Sequence, residues 1–267
     1  MPRGCGTLPV PAASRMNSMS PASDPFDVFM VAYDEPDAAA HFARLQAMRP
    51  AARLIEGVAG IRAAYRACAD AARTPFFFAV DADNYMLDGF DFDLAFQPKP
   101  YEVCIWHARN PVNGLVYAHG GLKLYPTEVL RRSSRGQSLD IVTSWAPATR
   151  YLTEVASEHR YNSGPFTTWR TALREAAKLA RDLQAGNGGK TLQHRLDTWC
   201  TVGADAPFGR WSIAGASDGR ALAAQFATNR EALKRINDYD WLRQDFSRRY
   251  GEAAADMGPQ SDPVPDA

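Results

Sequence analysis

The residues best suited to chemistry are Asp81 and Asp83, which close the stretch Phe76-Phe77-Phe78-Ala79-Val80-Asp81-Ala82-Asp83-Asn84. Apolar residues lead straight into two carboxylates one residue apart. An unbroken apolar run rich in β-formers reads as a strand buried on both faces. Such strands lie inside parallel sheets, and ligands bind beyond their carboxyl ends. Two acids side by side at a dry edge need a cation or a proton to hold them. The pattern points to a divalent metal, Mn²⁺ or Mg²⁺, which takes oxygen ligands and combines one or two carboxylates with substrate phosphates. Its work there would be to carry a diphosphate. The competing reading is a solvated loop start, because Asp88, Asp91 and Asp93 follow closely. A calcium loop of the EF-hand type does not fit. Counting from Asp81, Tyr85 and Met86 stand where a ligand and a turn glycine are required.

The elements that must position these acids begin at Phe26. The run from Phe26 to Tyr33 (FDVFMVAY) is a second buried-strand candidate, and Asp34-Glu35-Pro36 after it suits a helix entry. Phe42, Leu45 and Met48 recur at helical spacing until Pro50. Arg53 to Glu56 is a short strand with a glycine exit at Gly57. Val58, Ile61, Tyr65, Cys68 and Ala72 then mark another amphipathic helix, which leads into the Phe76 strand. The order β-α-β-α-β builds a parallel sheet, so the fold class expected is α/β, Rossmann-like and mostly parallel, with flanking helices.

This opening, whose third strand ends in Asp81-Ala82-Asp83, resembles the nucleotide-sugar glycosyltransferases of the A-type fold, in particular their family 2-like branch. The resemblance covers residues 26–84 well and residues 100–200 thinly. It implies a nucleotide-sugar donor, UDP-linked by preference, and Mn²⁺ or Mg²⁺ held by Asp81 and Asp83 on the diphosphate. It also implies donor-binding roles for Tyr33, Asp34 and Glu35 at the first strand's exit, for Arg62 on the helix before the Phe76 strand, and for Ala82 within the motif. The loop His119-Gly120-Gly121 corresponds to a glycine-bearing loop that meets donor or acceptor in such enzymes, and Lys123 is placed to meet a phosphate. An ordinary hairpin exit with a surface histidine is the alternative for that loop.

An inverting enzyme of this type needs a carboxylate to take the acceptor's proton. Glu175 and Glu158 are the candidates, ahead of Asp140 and Glu154, and a retaining enzyme would need none. Some members add a late histidine to the metal, for which His194 is available. Compact enzymes of this fold also occur in bacteriophages, where some glycosylate hydroxymethylated pyrimidines in DNA. The stretches Asn110-Pro111-Val112-Asn113-Gly114-Leu115 and Pro165-Phe166-x-x-Trp169-Arg170 resemble phage sequences of this kind. That adds 5-hydroxymethylcytosine in phage DNA as an acceptor, met by arginines at 131, 132, 135, 248 and 249. The rival readings are a polysaccharide or small-molecule glycosyltransferase, a nucleotidyltransferase, and a non-catalytic nucleotide- or sugar-binding protein. A nucleotidyltransferase normally opens with a glycine- and arginine-rich phosphate loop where this chain has Asp34-Glu35-Pro36.

Between these landmarks, Tyr101 to His107 reads as an alternating strand, Asn110 to Gly114 as a turn and Leu115 to Ala118 as its returning partner. His107 reads as structural. Residues 119–126 read as the exit of that hairpin, and residues 131–136 as a basic loop. Asn162-Ser163-Gly164-Pro165 starts the best-marked helix, with Phe166, Trp169, Leu173, Ala177, Ala180 and Leu183 as its stripe and Gly186-Asn187-Gly188-Gly189 as its stop. Beyond it, Thr198 to Trp211 shows aromatics and glycines without a helical period, and Asn229 caps a last helix carrying Leu233 and Ile236. The domain plan is a leader over 1–24, a catalytic α/β domain over 25–190, a mixed helical acceptor-side subdomain over 191–250 and an acidic tail over 251–267.

The 267 residues carry 30 lysines and arginines against 30 aspartates and glutamates, so the whole-molecule field favours no polyanion. Cys5, Cys68, Cys104 and Cys200 are scattered, with no C-x-x-C pair, which excludes a zinc knuckle or disulfide framework and suits the cytoplasm, or a host's cytoplasm for a phage protein. No run reaches the roughly 18 apolar residues of a membrane span, so no membrane partner is expected. The first residues lack an apolar h-region, so no secretory signal is expected either.

Overall fold

The computed structural model describes residues 25–132 and 147–251. The leader, Asp140, Arg135 and all of the acidic tail except Gly251 lie outside those residues. The first half follows the expected order: β1 (Asp27–Ala32), α1 (Ala38–Met48), β2 (Arg53–Glu56), α2 (Ile61–Ala71) and β3 (Phe76–Asp81). β1 lies parallel between β2 and β3. Phe78 and Val80 of β3 pack with Trp106, Phe90 and Phe92 on one face, while Phe77 and Ala79 pack with Tyr65 and Tyr125 on the other. That two-faced burial is why the strand carries no polar alternation. Helix α1 sends Leu45 to the first face, and α2 sends Ala64, Tyr65 and Cys68 to the second.

After β3 come β4 (Asn84–Met86), β5 (Glu102–Arg109), β6 (Val116–Tyr117), β7 (Leu122–Pro126), α3 (Thr127–Arg132) and β8 (Ala148–His159). The sheet runs β2-β1-β3-β7-β5-β8-β4, with β6 paired to β5 as a short hairpin. It is a mixed sheet, not the mostly parallel one expected. β7 is antiparallel to both neighbours, β3 and β5, and β4 is antiparallel to β8. Residues 122–126 are therefore a central strand and not a loop exit. β5 is buried from Glu102 through Trp106, so it does not alternate as its sequence suggests; core clusters cover both its faces. β8 went unread because much of its first half is exposed and carries Arg150, Thr153 and Glu154 in place of an apolar face.

The second layer is helical: α4 (Pro165–Gln184), α5 (Gly189–Thr201), α6 (Gly209–Gln225), α7 (Arg230–Leu233), a 3₁₀ turn over Lys234–Asn237, and α8 (Tyr239–Tyr250). Two of these, α5 and α6, replace the aperiodic region expected after residue 190. The contact face of α6 is built from absence of side chain. A Cβ on Gly215 or Gly219 would run into the backbone carbonyls of Trp169 or Leu173, so the two helices meet backbone to backbone. α4 is the centre of this layer, and the layer begins with it at residue 165, inside the range assigned above to the α/β domain. Tyr161 and Val112, from the sheet side, join the same cluster and tie the helices to the β5 and β8 exits. Among the described residues no helix is long and apolar enough to cross a membrane.

Candidate functional site

β1 and β3 end at the same edge of the sheet, where Val31 pairs with Asp81 and the Ala82 N–H donates to the Val31 carbonyl at 2.9 Å. The chain then turns through Ala82 and Asp83 into β4. The Ala82 carbonyl accepts from His41 Nδ1 of α1 at 2.6 Å. From the other side the Gly120-Gly121 turn closes on the same spot: the Gly121 carbonyl accepts from the Asp81 N–H at 2.9 Å. Gly120 has φ +89°, and a Cβ on Gly121 would overlap the Asn84 carboxamide. His119-Gly120-Gly121 thus does meet the Asp-x-Asp turn, and glycine is required there by contact with Asn84.

The two acids have different companions. Asp81 is the last residue of β3 on the α2 face. Its oxygens accept from Lys123 Nζ at 2.8 and 2.9 Å, and the Tyr65 hydroxyl donates to it. Lys123 is fully buried, opposite Ala79 in the β3–β7 ladder, with its ammonium 4.4 Å from the centre of the Tyr65 ring and donating also to the Tyr65 oxygen. Burial pushes the Asp81 carboxyl up despite that ammonium, and burial with Asp81 alongside pushes the Tyr65 hydroxyl well up. The lysine expected to meet a phosphate is therefore committed to Asp81.

Asp83 accepts from Asn84 Nδ2 at 2.7 Å and from His159 Nε2 at 3.0 Å. Asn84 is itself fixed by the Ser157 hydroxyl at 2.9 Å. His159 sits at the end of β8, opposite Asn84 in the β4–β8 ladder, and stacks on His119 with ring centres 3.6 Å apart. Burial would raise Asp83, but His159 and then His119 hold its carboxyl well below the usual range. Burial and the neighbouring His159 push His119 well down. The Nδ1 atoms of both histidines are buried without a hydrogen-bond partner.

Neither carboxylate named as a base stands free. Glu158 on β8 takes two hydrogen bonds from Arg160, at 2.8 and 3.1 Å. Glu175 on α4 pairs with Arg195 at 3.0 Å and Lys178 at 3.2 Å and accepts from the Tyr117 hydroxyl at 3.1 Å. Burial would raise Glu175, yet Lys178, Arg195 and His119 hold it well below the usual range, which makes it a weak proton acceptor. Glu154 reaches Trp106 Nε1 at 3.3 Å. His194, named for the metal, is exposed on α5; the histidine on Asp83 is His159.

A pocket opens beside Asp83. Its lining comes from the β1 exit (Glu35, Pro36, Asp37), His41 of α1, the β3 exit (Ala82, Asp83), the β8 exit (Arg160, Tyr161, Ser163) and α4 (Thr167, Arg170, Thr171). Glu35 accepts from the Tyr33 N–H at 2.7 Å, and burial with Asp83 and Asp34 nearby pushes its carboxyl up. Asp34 forms an ion pair with Arg170 at 3.1 Å. Tyr33 is exposed, and Arg62 is half-buried in the first turn of α2. The sequence names Arg170 only within the Pro165-Phe166-x-x-Trp169-Arg170 stretch, with no role of its own, and His159 not at all. Arg170 was legible as a charge inside the α4 apolar stripe, four residues after Phe166 and three before Leu173.

The chain matches no family model, no curated protein and no solved structure.

As a metal site the two acids fit unequally. Asp81 is already paired with Lys123 and Tyr65. Asp83 and Glu35 both line the pocket. Among the described residues no three His, Cys, Asp or Glu side chains are grouped to hold an ion. The set suits only a cation that takes most of its ligands from water and a phosphate, as Mg²⁺ does. Of the arginines expected to contact DNA, Arg135 lies outside the described residues and the other four have partners within the chain. Arg131 donates to the Ala69 and Ala72 carbonyls that end α2, Arg132 pairs with Glu128, and Arg248 and Arg249 pair with Asp245.

Proposed function

We propose that this protein is a glycosyltransferase of the A-type α/β fold, transferring a sugar from a nucleoside-diphosphate sugar to an acceptor hydroxyl in the cytoplasm. The observation that carries the reading is the convergence of the β1 and β3 exits on one pocket. Carboxylates from both strand ends, Glu35 and Asp83, line it together with Arg160 and Arg170. In doubly wound sheets this edge is where nucleotides bind.

Transfer breaks the bond between the anomeric carbon and a phosphate oxygen and joins that carbon to the acceptor oxygen. The acceptor's proton must leave as this happens. Glu35 lines the pocket beside Asp83 and burial pushes its carboxyl up, so it is the carboxylate assigned to take that proton. The arginines hold the leaving diphosphate. His159 and Asn84 fix the direction of the Asp83 carboxylate. Mn²⁺ or Mg²⁺ held by Asp83, with Glu35 alongside, would supply charge neutralisation of the departing diphosphate. Asp81 with Lys123 and Tyr65 sets the end of β3 and keeps the turn in place.

The test is incubation of the full chain with nucleotide sugars, UDP-linked donors first, with Mn²⁺, with Mg²⁺ and with a chelator. Each mixture is offered DNA containing hydroxymethylcytosine, unmodified DNA, and a panel of small sugars. Release of nucleoside diphosphate with a hexose mass gain on one acceptor is the expected result. Failure of every donor to bind or turn over would refute the assignment.

A further inference from the structure

We propose that Arg160 and Arg170, with Ser163 and Thr167, form a built phosphate site in this pocket. The proposal deepens the functional reading above and rests on it only in naming the donor as the phosphate's source.

The two arginines arrive from different elements yet are held in the same way. Arg160, just after β8, lies over the Tyr85 ring at 3.7 Å and pairs with Glu158 at 2.8 Å. Arg170, in the second turn of α4, lies over the Tyr239 ring at 4.2 Å and pairs with Asp34 at 3.1 Å. A guanidinium fixed by a ring and one carboxylate has little rotamer freedom left to lose on binding, and its planar fork matches phosphate oxygens. Arg170 is 5% exposed, and its Nε is buried with no hydrogen-bond partner. A buried, unsatisfied donor of a charged group costs stability unless a ligand or water takes it up. Both arginines line the pocket, as do Ser163 and Thr167 at the start of α4. That helix begins at Gly164 with no side-chain cap, so its first N–H groups add positive potential where the arginines stand.

The pocket's acids, Glu35, Asp37 and Asp83, would repel a bare phosphate, and this fixes the kind of ligand. A phosphate carrying its own divalent cation is complementary, with the cation toward Asp83 and the oxygens toward the arginines. Two sources share that chemistry: the diphosphate of a nucleotide donor and a phosphate group of the acceptor.

Calorimetry with inorganic pyrophosphate, with and without Mg²⁺, tests the site on the full chain. Wild type should bind, more tightly with Mg²⁺. Arg160→Gln and Arg170→Lys should each weaken binding about tenfold or more, as loss of a charge-assisted contact does. Arg132→Gln, away from the pocket, should leave it unchanged. Arg170 packs on Tyr239, so its variant is first checked by melting temperature, and Arg160→Gln carries the test if the fold suffers. Displacement of pyrophosphate by a nucleoside diphosphate assigns the site to the donor; binding without such displacement assigns it to the acceptor. No pyrophosphate binding under either condition, or binding untouched by both variants, overturns the proposal. A chain that binds pyrophosphate here but turns over no nucleotide sugar would keep the site and lose the glycosyltransferase reading.

Discussion

Asp81 and Asp83 stand one residue apart, yet they end in different surroundings, and the contrast shows what the motif does. Asp81 turns to the α2 face, where a buried lysine and a tyrosine hydroxyl hold it. Asp83 faces the pocket, with a histidine and an asparagine fixing its carboxylate. Two neighbouring acids do need cations, but this chain supplies one of them from its own β7. An Asp-x-Asp pair is therefore not automatically a pair of metal ligands. One acid can serve the fold while the other serves the ligand.

The sharpest way to break that division is Lys123→Met. It leaves the half-buried Asp81 beside Tyr65 without its cation; removing one partner of a fully buried pair costs about 3–5 kcal/mol, and solvent at Asp81 brings the cost toward or below the lower end of that range. Urea unfolding should show that loss. Adding Asp81→Asn to Lys123→Met should recover a good part of it, because the two residues act on one another and their effects are not additive. A Lys123→Met protein as stable as wild type would mean that Asp81 is not held this way.

The complementary experiment compares Asp83→Asn with Asp81→Asn in turnover. Asp83→Asn should lower turnover at least about 100-fold, by analogy with other sites that neutralise a leaving diphosphate. Its unfolding free energy should move less than that of Asp81→Asn, whose turnover at a temperature well below melting should fall less. Equal losses of turnover at unchanged stability would return both acids to the metal.

The same contrast separates what was legible from what was not. The β1 to β3 half could be read because each element carries its own period, and Phe76 to Val80 announces a two-faced strand. Asp81, Asp83 and the His119-Gly120-Gly121 loop stand out in the sequence for the same local reason. β7 was not, since a lysine as the second residue of a five-residue strand reads as exposed until Asp81 is known to lie two residues along the neighbouring strand from its partner Ala79. α6 was hidden because its packing face is Gly215 and Gly219, whose signal is the lack of a side chain. His159 was hidden by the polar character of β8. Its contact with Asp83 spans 76 residues of sequence, which no local pattern encodes.

A smaller effect is expected at Gly121. Its contact with Asn84 leaves no room for a methyl group, so Gly121→Ala must push Asn84 away from Asp83 or shift the turn. Overpacking of this kind costs about 1–3 kcal/mol. Turnover should fall along with stability, because Asn84 is one of the two groups orienting Asp83. A variant that loses stability but keeps full turnover would detach Asn84 from the ligand-facing acid.

The smallest effect concerns Glu175, and its sign follows from its ion pairs. Lys178, Arg195 and His119 hold the folded carboxyl well below the unfolded value of 4.5 despite burial. A group depressed on folding stabilises the protein above its unfolded pKa, and that contribution drains away as pH falls from about 4.5 through the folded value. Glu175→Gln keeps an acceptor for Tyr117 and Arg195 but gives up the charge. At pH 7 it should be less stable than wild type by about 1 kcal/mol, the scale of a typical hydrogen bond. As pH falls below 4.5 the wild type should lose stability faster, and the two unfolding curves should converge. If Glu175 were instead a working base poised near neutrality, the variant would lose turnover by orders of magnitude with its acid stability profile unchanged. Unfolding followed from pH 7 to pH 3, beside single-turnover rates at pH 7, separates the two roles.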